Sequence, residues 1–125
     1  MKSKTEKISE KRHFPGTNRI KTREDFLRIQ SRGKKTHTRH FILIWSKASS
    51  KATRLGITVT TKIDKRAVLR NKVKRAIREF FRVQILPHKP EIDLVVIAKQ
   101  GSTKLTTKEV REEILIALQR NAIIP

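Results

Sequence analysis

The chain has 125 residues, no cysteine, and 31 Lys and Arg against 11 Asp and Glu, a formal net charge of +20 at pH 7. That length suits one domain with a modest core. The missing thiols exclude a disulfide framework and a thiolate metal site, and no apolar run approaches the ~20 residues of a bilayer span. A charge this one-sided opposes compaction by self-repulsion and fits a polyanionic partner, nucleic acid foremost.

Residues 1–17 are polar and basic with little to bury, which predicts a disordered arm ahead of a single domain over 18–125. The start MKSKTEKISEKRHFPG has no apolar core of a secretory signal, so a cytoplasmic protein is expected. Thr22, followed three residues later by Asp25, predicts a helix N-cap, with Phe26, Leu27 and Ile29 as apolar contacts and Gly33 as the stop. Lys34 to Thr38 offers a short edge strand. HFILIWS (His40 to Ser46) and RLGITVT (Arg54 to Thr60) have strand composition, and the polar segment between them predicts a hairpin or somewhat longer loop joining an antiparallel pair.

The stretch from Lys62 to Arg82, KIDKRAVLRNKVKRAIREFFR, holds nine Lys and Arg against Asp64 and Glu79. At 100° per residue Leu69, Val73, Ala76, Ile77 and Phe80 form one apolar stripe, which predicts a docked helix with Asp64 as N-cap. Asn71, Lys74, Arg75, Arg78 and Arg82 gather opposite the stripe. An ordinary solvated face mixes charge signs; this ridge is almost wholly cationic, as phosphates along a nucleic-acid backbone require. Pro87 and Pro90 end the region, DLVVIA (Asp93 to Ala98) predicts another strand, and Thr106 with Glu109 announces a last helix with Val110, Ile114, Ala117 and Leu118 inward.

Catalytic groups are scarce. Glu24/Asp25 and Glu112/Glu113 are adjacent acids on predicted helices, best taken as first-turn or exposed residues, and the four histidines are scattered. His37 and His40 would point to opposite faces of an extended segment, so no protein-bound metal and no catalytic side chain is expected. No phosphate loop or G-x-S-x-G occurs. Phe26, Phe41, Trp45, Phe80 and Phe81 suit a core; Phe26 and Phe41 are the choices for a platform on which unpaired bases stack.

From Ala67 to Glu79 the sequence satisfies the pattern A-V-x-R-N-x-x-K-R-x-x-R-E, preceded by G-I-T-V-T-T-K at Gly56 to Lys62. With R-E-D-F around Phe26, Gly33 and the late D-L-V-V-I-A strand, it resembles the protein subunit of bacterial ribonuclease P over roughly Asn18 to Gln119. That resemblance implies an α+β fold, an αβββαβα two-layer sandwich with a four-stranded mixed sheet and a left-handed βαβ crossover, against the usual right-handed rule. It implies one protein per catalytic RNA, with precursor tRNA as substrate and Mg²⁺ bound mainly by the RNA, and neither a membrane nor an obligate protein partner. Arg66, Arg70, Asn71, Lys72, Lys74, Arg75 and Arg78 would face that RNA. Phe26, Phe41, Lys62, Lys65 and Arg82 would line or border a cleft for the single-stranded 5′ leader.

Two departures stand out: Gln30 and Ile44 occupy cleft positions where relatives often carry aromatics, and Thr60 and Thr61 replace a more usual Ser and Lys. A basic ribosomal-type RNA-binding protein would share the charge without needing a cleft. A sequence-specific DNA binder fits less well, because no helix-turn-helix spacing is present.

Overall fold

The computed structural model describes residues 18–48 and 52–125. The predicted arm over 1–17 and the middle of the polar loop, 49–51, lie outside them. Helix α1 (Arg23–Arg32) starts where Thr22 Oγ1 accepts the Asp25 N–H at 3.1 Å. Gly33 closes it by donating its N–H to the Ile29 carbonyl at 2.7 Å. Its backbone is extended, so space rather than left-handed freedom demands glycine: a Cβ would stand 2.6 Å from the Ile29 oxygen and 2.7 Å from the Trp45 oxygen.

Strands β1 (Lys34–His37), β2 (Phe41–Lys47), β3 (Arg54–Thr58) and β4 (Ile92–Ala98) form one sheet in the order β1-β2-β4-β3. Strands β2 and β3 run antiparallel as expected but do not pair, because β4 lies between them, antiparallel to β2 and parallel to β3. Composition explains the placement. Leu94, Val95 and Val96 are fully buried, and a strand apolar on both faces gains most from a central position.

Between β3 and β4 runs α2 (Ala67–Phe80), and α3 (Thr107–Arg120) ends the fold, giving the predicted αβββαβα order. Both helices cover one sheet face, packing on Phe41, Leu43, Leu55, Leu94 and Val96. Val73, Ala76, Ile77 and Phe80 of the predicted stripe are buried, while Leu69 is only partly covered. A π-helical turn, Phe81–Ile85, follows, in which the Leu86 N–H reaches the Phe81 carbonyl. The wider turn lets Phe80, Phe81 and Ile85 all face the core. On α3, Thr106 and Glu109 form the predicted reciprocal capping box, and all four predicted apolar residues are buried.

The opposite face carries α1 across part of its area, with Ile29 seated on Ile44 and Val95 and with Phe26, Ile42 and Ile97 around them. Alternation along paired strands puts Gly56, Thr58, Val95, Ile97, Ile42 and His37 on this face. No helix among the described residues is long and apolar enough to cross a membrane.

Candidate nucleic-acid interface

The start of α2 is fixed by Asp64, though not as its N-cap. That position belongs to Arg66, which makes no side-chain cap. Asp64 sits two residues upstream and accepts the Arg66 N–H at 2.9 Å, the Arg66 guanidinium fork at 3.0 Å on each oxygen, and the Thr103 hydroxyl at 2.8 Å. Those bonds, Arg66 first, hold its carboxyl far below the usual carboxylate range. Arg70 also turns inward, donating Nη1 to the carbonyls of Asp64 at 3.0 Å and Lys65 at 2.9 Å. Two of the predicted RNA-facing cations thus brace the loop that aims the helix.

Apart from Arg82, the rest of the ridge has no described carboxylate to compensate it. Lys62, Lys65, Lys72, Lys74, Arg75 and Arg78 pair with none of the described carboxylates. Glu79 engages Arg82, at 2.5 Å, rather than Arg75. Lys62, Lys65, Asn71 and Arg75 are exposed, and Lys72, Lys74 and Arg78 are partly covered. Partial burial pushes the Arg78 pKa down, and repulsion from Arg19 and Arg75 adds to it. A guanidinium crowded in this way favours an incoming anion.

The flank of α2 and the sheet face under α1 meet at Phe26. Its ring lies directly on β3, where a Cβ at Gly56 would come within 2.6 Å of Phe26 Cζ. On one side a cavity of about 140 Å³ places Phe26 beside Arg19, Ile20, Gly56, Lys74 and Arg78. On the other, one of about 510 Å³ places it beside Lys21, Arg23, Leu27, Gln30 and Thr58. Residue Arg19 reaches this position because the segment before α1 runs beside β3, with Ile20 N–H bonded to the Leu55 carbonyl at 3.0 Å.

Phe41 does not join Phe26. It is fully buried on the other face of the sheet, under α2 and α3, so no base can stack on it. Ile44 is buried beneath α1 and likewise leaves the cleft surface, whereas Gln30 lies on it. Neither Lys62 nor Arg82 lines the two cavities at Phe26. Lys62 sits in the turn after β3, its carbonyl bonded to Gln100, and Arg82 belongs to the π-helical turn. The sequence reading missed Arg19, Lys21, Arg23 and Thr58 at this place. No local pattern could have found them, since their meeting depends on how the segment before α1 lies along β3.

Several acids serve structure. Asp93 is fully buried and takes the Arg54 fork at 2.9 Å on each oxygen, with Arg28 at 3.6 Å and Asp25 bridging both arginines. Glu113, expected to be an exposed helix acid, accepts from the Thr38 hydroxyl, the His40 N–H at 2.7 Å and His40 Nδ1 at 2.8 Å. Burial pushes its pKa up, but these bonds outweigh burial and the net shift is downward. Among the described residues no group of three or more His, Asp or Glu could hold a metal ion.

The sequence profile of the family described as Ribonuclease P matches residues 14–122. The "Ribonuclease P protein component" of Syntrophus aciditrophicus is 38% identical over 104 residues, 83% of this chain and 87% of that one. Its counterpart in Macrococcus caseolyticus is 44% identical over 100 residues, 77% of this chain and 83% of that one. Among solved structures, the Staphylococcus aureus RNase P protein superposes with a TM-score of 0.76 at 36% identity, covering 86% of this chain and 98% of that one. The Thermotoga maritima RNase P protein gives 0.70 at 33%, covering 82% and 96%.

Proposed function

Because the chain belongs to the family of ribonuclease P protein components, we propose that it is the protein subunit of a ribonuclease P whose RNA subunit cuts precursor tRNA at the mature 5′ end. One protein joins one RNA, in the cytoplasm, without an obligate protein partner. The exposed cations of α2 face the catalytic RNA, and the cleft at Phe26 takes the single-stranded leader. The observation that carries this reading is the convergence at Phe26 of an aromatic ring on an open sheet face with Lys74 and Arg78, which no described carboxylate neutralises. Stacking holds a base, and the cations hold its phosphates.

Mg²⁺ belongs mainly to the RNA on this reading. The protein acts by screening: cations between two sets of RNA phosphates lower their repulsion, so less bulk Mg²⁺ brings them together. The test mixes the protein with a bacterial ribonuclease P RNA and a 5′-extended precursor at low Mg²⁺. One cut giving the mature 5′ end, at a Mg²⁺ concentration where the RNA alone is slow, is expected. An unchanged Mg²⁺ dependence would contradict the screening role.

A further inference from the structure

We propose that the chain carries a second site for unpaired RNA, a cationic and aromatic cavity around Trp45, whose indole lies on the sheet face opposite α1 and the Phe26 cleft. It presupposes only that the chain works on RNA. The cavity measures about 510 Å³; Arg32, Lys34, Trp45 and Lys47 line it together with Ser46, Pro90, Glu91 and Ile92. None of these residues lines the cavities at Phe26.

Its construction follows from register. Lys34 on β1 lies directly opposite Trp45 on β2, and Lys47, two residues on, shares the face of Trp45. The indole is thus flanked by two ammonium groups. Arg32 at the end of α1 adds a third exposed cation, and none of the three pairs with a described carboxylate.

The rim is also held out of ordinary geometry. Lys89 and Glu91 have φ of 45° and 55°, the left-handed region that favours glycine. Ala48 N–H to the Glu91 carbonyl and Glu91 N–H to Thr53 Oγ1, both 3.0 Å, fix this turn against the sheet. Lysines on an edge strand guard against strand addition. That explains Lys34, but not why Arg32 and Lys47 converge with it on the indole. An unpaired nucleotide meets these features: its base against Trp45 and its phosphates on the three cations.

Trp45 is the only tryptophan, so its emission reports this cavity. The full chain is titrated with a short oligouridylate while Trp45 emission and the anisotropy of a labelled oligonucleotide are followed together. We expect saturable quenching by the single strand and much less by a duplex of equal length. K34E/K47E should weaken the quench-derived affinity about ten-fold or more, with each single reversal intermediate. K108E/R111E, the same charge change on exposed residues of α3, should weaken it far less. Quenching that survives F26A separates this site from the leader cleft, so either can fail while the other stands. The proposal is overturned if emission stays constant whether or not anisotropy rises, if duplex quenches equally, if the two double variants behave alike, or if F26A abolishes the quench.

Discussion

At one end of the sheet face under α1, Asp93 is fully buried and bound by Arg54, with Arg28 and Asp25 closing a network of opposite charges. At the other end Lys74 and Arg78 face the Phe26 ring with no described carboxylate to meet them, and the Arg78 pKa is pushed down by burial and by its cationic neighbours. The same residue types therefore do two jobs on one surface. Where charge is neutralised it pins α1 to the sheet; where it is left over it awaits an anionic partner. Substitutions should separate the two ends by what they change, stability or RNA affinity.

The largest effect is expected at the neutralised end. Asp93→Asn leaves Arg54 partly buried without its main partner, and breaking such a pair should cost about 3 to 5 kcal/mol of stability in urea unfolding. RNA affinity of the folded fraction should hardly move. Glu113 is a second neutralised charge, and Glu113→Gln should cost about 1 to 3 kcal/mol by weakening its bonds to Thr38 and His40. Its folded pKa is depressed, so its contribution is complete above the ordinary glutamate pKa and fades as pH falls through the folded value. Acid unfolding of the glutamine variant should lack that component. Arg78→Gln should do the reverse: thermal stability is kept or raised, while the slope of log affinity for precursor against log salt shrinks by about 0.7 for the lost single-strand contact. An Arg78 variant that unfolds easily, or an Asp93 variant that folds well but releases RNA, would break the comparison.

What was legible in the sequence was local. Thr22 with Asp25, Thr106 with Glu109, and the stripe from Val73 to Phe80 each depend on residues within a turn or two, and each forms as expected. What depended on strand register was not legible. The expected pairing of β2 with β3 failed because adjacency in the chain says nothing about a third strand inserting between two others. Phe41 was chosen with Phe26 as an aromatic platform, but β2 is apolar on both faces and only its pairing, Phe41 opposite Ala98 and Ile42 opposite Ile97, decides which residues face α1. Charge alone was also ambiguous. Arg66 and Arg70 belong to the motif yet spend hydrogen bonds on their own loop, a use that becomes visible only once Asp64 and Thr103 are brought together from 39 residues apart.

The central claim is that the left-over charge and the ring at Phe26 receive a single-stranded leader. It is tested most directly by the affinity of the reconstituted holoenzyme for leader-bearing precursor and for mature tRNA, with the native protein and with Phe26→Ala. The account predicts that the substitution weakens precursor binding by about 1 kcal/mol or more and leaves mature tRNA unchanged. Equal weakening of both, or of neither, would contradict it.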